Sequence, residues 1–156
     1  MGEDIGKYYL LNNRLIPVNE LDRDGVSRGF SVYEIVRVKD SVAVFLEDHL
    51  HRFYHSLELE NLGIKENEQE IKQQIWKLIE NNSVRSGKIK FVVNFSSYPQ
   101  TQDYDLWLYF DHYDPPTADQ YKNGVETILC RAVRNDPNVK MIHTKARHIT
   151  EKKIKE

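Results

Sequence analysis

The chain has 156 residues, 40% of them hydrophobic, and a formal charge of -2, enough for one globular core and the beginning of another. Its evenly mixed acids and bases exclude the concentrated positive footprint of a nucleic-acid binder, and no apolar run approaches the roughly 20 residues of a membrane-spanning helix. Residues 1–11 carry acids where a signal peptide would be basic and then apolar, and Cys130 is the single cysteine, so a soluble protein in a reducing cytoplasm is expected.

In chain order, residues 8–17 read as a short hairpin about Asn12 and Asn13. Residues 32–38 alternate as a strand, with Val32, Glu34, Val36 and Val38 on one face. Tyr33, Ile35 and Arg37 project from the other, which is the face expected to carry chemistry. After a turn at Lys39, Asp40 and Ser41, the apolar run 42–46 predicts a second, paired strand. A helix over 47–62 follows, with Glu47 and Asp48 at the positive end of its dipole and Gly63 as a left-handed cap. Its stripe is Leu50, Phe53, Tyr54, Leu57 and Leu62, and a second helix over 69–81 offers Ile71, Ile75, Leu78 and Ile79. Residues 89–95 then alternate with Ile89, Phe91, Val93 and Phe95 on one face, and 106–110 repeat the pattern as an antiparallel neighbour. These pieces predict an α+β domain over residues 1–113, an antiparallel sheet with two helices. The stretch holding Pro115 and Pro116 reads as a linker, 114–124. A strand over 125–134, a turn over 135–138 and an amphipathic helix from Ile142, carrying Ala146 and Ile149, then predict the start of a second, incomplete α/β domain over 125–156.

His49, Arg52, Phe53 and Ser56 stand at helical offsets that share a face. The planar fork of Arg52 suits phosphate, and a surface pair with Glu47 or Asp48 is the plainer alternative. Lys140 lies between the expected last strand and last helix. A lysine that attacks a carbonyl must be neutral, which desolvation or a neighbouring cation can arrange. A solvated charge is the bland reading, and Lys145 is a rival. Tyr33 and Arg37 are either substrate-facing or a stacked pair on a sheet. His51 and His55 are four apart but lack a third ligand, so a solvated helix face is expected and no metal. Cys130 reads as a small buried hydrophobe in an apolar strand. There is no dinucleotide fingerprint, P-loop or nucleophile elbow.

Three stretches occur together: Arg28-Gly29-Phe30-Ser31-Val32-Tyr33-Glu34 running into Ile35-Val36-Arg37; Phe45-Leu46-Glu47-Asp48-His49-Leu50-His51-Arg52 reaching Ser56; and Arg134-Asn135-Asp136-Pro137-Asn138-Val139-Lys140. In order and spacing they resemble the N-terminal part of the class IV pyridoxal-phosphate aminotransferases and lyases. The resemblance implies that Arg52 binds the cofactor phosphate and that Lys140 forms the Schiff base with pyridoxal 5'-phosphate and shuttles the substrate's α-proton. It also puts Tyr33 and Arg37 on the substrate side. The implied protein is a homodimer that moves an amino group between a small amino acid and a 2-keto acid. Lys145 matches the spacing of branched-chain members, whereas Lys140 suits the compact Pro-x-x-Lys form. Two positions depart from the pattern. Phe95 stands where D-amino-acid members hold the substrate carboxylate with arginine, and His143 replaces a common asparagine. The acid that pairs with the cofactor's ring nitrogen would lie beyond Glu156, so a polypeptide of this extent is expected to be inactive unless another chain supplies the rest. An aminodeoxychorismate lyase-like enzyme would use the same residues, and a non-catalytic chain packing against a partner is the rival from outside catalysis.

Overall fold

The computed structural model describes residues 6–131, 133, 137–142, 149, 150 and 152–154. The chain opens with the expected hairpin, β1 (Tyr8–Leu11) and β2 (Arg14–Pro17). Asn12 and Asn13 both have positive φ, 48° and 64°, the backbone that a two-residue turn matched to strand twist requires and that asparagine tolerates. An irregular segment with two 3-10 turns, Val18–Glu20 and Gly25–Ser27, leads to β3 (Phe30–Lys39). Asp40 and Ser41 repeat the left-handed pair at 49° and 64°.

The apolar run after that turn forms less strand than its composition suggests. β4 is only Val42–Ala43. Phe45 takes φ 53° as the residue before α1 (Leu46–Leu59), and its carbonyl accepts the His49 N–H. Glu47 and Asp48 fall in the first turn, so the helix claims the last residue of the run. The other end of α1 also differs from expectation. Asn61, not Gly63, is left-handed, at φ 54°. Asn61 N–H reaches Glu58 O and Leu62 N–H reaches Leu57 O, the paired bonds of a Schellman motif, which close the helix before the glycine is needed.

α2 (Glu68–Asn82) starts at a capping box between Asn67 and Glu70, satisfying two donors that the first turn would leave unpaired. β5 (Gly87–Phe95) and β6 (Asp105–Asp111) follow as antiparallel neighbours. The sheet has six strands in the order β2-β1-β6-β5-β3-β4, with every pairing antiparallel. Both helices cover one face. There Leu50, Phe53 and Leu57 of α1 and Ile71, Ile75 and Leu78 of α2 meet Phe91, Val93, Phe95, Leu106 and Leu108, with the Phe53 and Phe91 rings edge-on at 5.1 Å. The opposite face carries a smaller cluster, Tyr9, Tyr33, Val92, Trp107 and Tyr109, covered by Val26 and Leu21 of the irregular segment and by Ile142.

Asn82 ties the N-terminal strand to α2. Its side-chain oxygen accepts from the Lys7 and Tyr8 N–H groups, and its amide donates to Tyr8 O at 3.1 Å and Leu78 O at 2.8 Å. Asn82→Leu should cost about 1–3 kcal/mol, because the Lys7 and Tyr8 N–H groups lose their acceptor at a part-buried position. A lowered urea midpoint measures this, and an unchanged midpoint would contradict it.

Past the sheet, the expected linker contains a short helix, α3 (Ala118–Asn123), capped by Thr117. The strand expected over 125–134 is not formed over residues 125–131. Val125 and Ile128 are exposed there, and Leu129 is fully exposed. Cys130 is accordingly half-exposed rather than buried in a strand. The Ile142 N–H donates to Ser31 O at the margin of β3, and residues 143–148, where the expected helix would run, lie outside the described residues. Residues 149, 150 and 152–154 are helical, whereas Ala146 lies outside the described residues.

Candidate functional site

The site is organised by a residue that strand alternation puts in the core. Glu34 shares its face with Val32, Val36 and Val38 and lies opposite Phe91 in the sheet register; it has no exposed surface. A carboxylate so placed must be paired or neutral, and α1, which packs on β3, delivers the partners. Arg52 donates through Nε to Oε1 at 2.6 Å and through Nη2 to Oε2 at 2.8 Å, and His49 Nδ1 lies 2.9 Å from Oε2. A fourth side-chain donor comes from 106 residues further along the chain: Lys140 Nζ, 3.4 Å from Oε2.

Lys140 reaches this point because β4 covers only Val38 and Lys39 of β3. The rest of that edge is open to pairing. Tyr33 N–H donates to Lys140 O at 3.0 Å, and Met141 bridges Val32 in antiparallel fashion. Val139 is buried among the helix-side residues and Ile142 on the other side, so this stretch is held from both faces.

Burial pushes the Glu34 carboxyl up, but the hydrogen bonds from Arg52 and His49 and the charges of Lys140 and Arg52 outweigh it and hold the group below the ordinary glutamate range. Arg52 is moved up in turn by its bond to Glu34. An ionised Glu34 only accepts, so the His49 proton sits on Nδ1. The 3.4 Å approach of Arg52 Nη2 to the same nitrogen therefore brings two donors side by side. Arg52 commits Nε and part of Nη2 to Glu34, and its side chain is about half exposed at 51%. The outer edge of its guanidinium can therefore take another anion.

The structure brings Arg52 and Lys140 together. Tyr33 lies beneath the lysine: Lys140 Nζ is 5.3 Å from its ring centroid and Lys90 Nζ 4.9 Å. Tyr33 is itself buried at 5% exposure, so it is the floor of the site. Arg37 is exposed on the same strand face, and its guanidinium stands 5.8 Å from the Tyr113 ring. Of the helical face that includes His49 and Arg52, Phe53 and Ser56 turn into the core, where Ser56 Oγ donates to Arg52 O. The surface pairing of Arg52 with Glu47 or Asp48 does not form, since Glu47 holds Lys72 at 2.8 Å. Phe95 is fully buried and packs on Tyr104, so it cannot receive a substrate carboxylate. His51 and His55 approach Glu68 and Glu58 at 3.7 and 3.6 Å. Arg134, His143 and Lys145 lie outside the described residues.

Glu34 and the role of His49 toward it were not foreseen. The signal was a lone acid in an otherwise apolar strand face, which almost never occurs unpaired.

A family model for class IV amino-transferases matches residues 31–154. The chain belongs to the class IV aminotransferase family. Among curated family relatives, a D-alanine aminotransferase of Bacillus licheniformis is 27% identical over 135 residues, covering 80% of this chain and 47% of the relative. The chain thus spans about half the length of that class IV enzyme. The branched-chain amino acid aminotransferase from Escherichia coli superposes with a TM-score of 0.59 at 16% identity, over 69% of this chain and 41% of the other. The T.th. branched-chain amino acid aminotransferase, solved with pyridoxamine 5'-phosphate, gives 0.62 at 17%, over 76% and 43%. At these identities the similarity concerns the fold, and the antiparallel sheet with its helices matches the N-terminal domain of class IV aminotransferases.

Proposed function

We propose that this chain carries the cofactor lysine, Lys140, and the phosphate-binding arginine, Arg52, of a pyridoxal-phosphate-dependent enzyme that transfers an amino group between a small amino acid and a 2-keto acid. The observation that supports this best is the convergence of Arg52 and Lys140, far apart in sequence, on the fully buried carboxylate of Glu34. A homodimer in a reducing cytoplasm belongs to the same proposal, supported by family membership and the lone cysteine.

The residues fit such a cofactor. The permanent cation of Arg52 keeps an outer edge available, and the primary amine of Lys140 is partly accessible, its side chain 30% exposed. When bound, the pyridoxal ring supplies a sink for the electrons released from the substrate's Cα–H bond. Arg52 holds the phosphate with the N–H groups that Glu34 does not use, and Glu34 keeps the fork from turning. Nζ of Lys140 would hold the cofactor when it is bound, and as a free amine would take up and return the substrate's α-proton. For this the amine must leave its ion pair with Glu34, which Arg52 continues to neutralise and His49 to hydrogen-bond. Tyr33 walls the substrate side beneath Lys140; Arg37 serves a carboxylate arriving from the Tyr113 side.

Absorbance titration tests the phosphate assignment. Arg52→Gln should bind pyridoxal phosphate at least about tenfold more weakly than the unaltered chain, the loss expected for charge-assisted hydrogen bonds to an anion. Phosphate-free pyridoxal should lose less affinity than pyridoxal phosphate does, since only the phosphate contact distinguishes the two ligands. Equal affinity for pyridoxal phosphate would remove Arg52 from the proposal.

A further inference from the structure

Away from the Glu34 site, α3 ends on Asn123 and Gly124 follows it, the one Asn–Gly pair in the sequence. The side-chain carbon of an asparagine and the next main-chain nitrogen can close a five-membered ring wherever the backbone leaves the helical arrangement. A following glycine shields that nitrogen least, because it has no Cβ. At Gly124 nothing beyond the chain neighbours lies within 4 Å of the point a Cβ would occupy, and φ is +80°, so no neighbouring group screens the nitrogen. Asn123 is exposed, as are the residues on either side of it. Both reacting groups are nevertheless tied into the last turn of α3. Gly124 N–H donates to Gln120 O at 2.9 Å, and Asn123 Nδ2 donates to Asp119 Oδ1 at 2.6 Å. The helix that holds them has six residues and buries none, and a helix so short without a packed face is marginal in water. Its support is the capping box of Thr117 and Gln120. Opening of α3 releases the amide and the nitrogen together.

We propose that Asn123 is a site of spontaneous covalent modification, deamidating through a cyclic imide whenever α3 opens. The Gly124 nitrogen gives up its proton to hydroxide and bonds to Asn123 Cγ. The Cγ–Nδ2 bond breaks, and the side-chain nitrogen leaves as ammonia. One water then opens the ring. Cleavage between Cγ and the Gly124 nitrogen gives aspartate, and cleavage between the Asn123 main-chain carbonyl carbon and that nitrogen gives isoaspartate. Water is the only co-reactant, and nothing is oxidised or reduced. Loss of ammonia makes the step one-way. Either product puts a carboxylate at the C-terminal end of α3, where the helix dipole disfavours it, and four residues from Asp119, whose donor it has replaced. Isoaspartate also lengthens the main chain by a methylene. The modified chain therefore carries one more negative charge and a weakened α3 between β6 and the stretch that brings Lys140 to the site.

The test ages the full chain at mildly alkaline pH and body temperature, digests it in acid so that no further amide is lost, and maps the peptides by mass. An isoaspartyl methyltransferase with labelled methyl donor reports the isoaspartate product. Asn123 should lose its amide faster than any other asparagine, and Asn123→Gln should remove the methylated product from that peptide. Thr117→Ala, which uncaps α3 without touching the core, should hasten the loss at least about twofold. Retention of the Asn123 amide in the folded chain, while a peptide of residues 116–128 loses it in the same buffer, would overturn the proposal. Faster loss at another asparagine would overturn it too. An unchanged rate in Thr117→Ala would show that α3 is not the gate and would overturn it as well.

Discussion

Replacing Glu34 with alanine should lower stability by about 2–4 kcal/mol near neutral pH and detach Lys140 from Arg52. The carboxylate is wholly buried and accepts from Arg52, His49 and Lys140 at once, and its removal leaves four side-chain donors, from three residues, facing an apolar gap. The effect stays below that of a fully sealed ion pair because Arg52 is half exposed and can turn to water. Glu34→Gln keeps the shape but aims an N–H₂ group at donors, so it should not restore the site. The pH dependence has a fixed sign. Glu34 is held below its ordinary value of 4.5, so in acid the unfolded chain binds the proton more readily than the folded one. Its contribution is complete above the ordinary glutamate range and is lost as pH falls through the lower, folded value. Urea midpoints of the unaltered chain and Glu34→Ala should therefore lie well apart near neutrality and converge in acid. Coincident midpoints at neutral pH would remove Glu34 as the organiser of the site.

The same residue explains what the sequence could disclose. Alternation over residues 32–38 put Glu34 among valines correctly, and helical spacing put His49 beside Arg52. Neither says which strand lies under which helix, and only that packing turns an awkward acid into the centre of a site. The motif drew attention to Lys140, but nothing in it said that the lysine would arrive at Glu34. It depends on β4 stopping after two residues and leaving the β3 edge open to residues 140–142. The short β4 is itself a competition between an apolar run that favours strand and the acids Glu47 and Asp48 that favour a helix start, which local patterning does not settle. Gly63 failed as a cap for a similar reason: Asn61 could take the left-handed position two residues earlier. The run beyond residue 124 carried a strand composition but no partner among the described residues, and strand propensity without a neighbouring strand does not make a sheet.

The largest effect of all is expected at Lys140, since the proposed chemistry needs a primary amine at that position and Arg52, Glu34 and Tyr33 cannot replace it. Lys140→Ala should leave the fold nearly intact, because its side chain is partly exposed and its backbone bonds to Tyr33 do not depend on it. The decisive measurement is incubation of the full chain with pyridoxal phosphate, borohydride reduction and peptide mapping by mass. The account predicts one reduced adduct, on Lys140, that disappears in Lys140→Ala and persists in Lys145→Ala. An adduct on Lys145 instead, or none above the background of surface lysines, would contradict it.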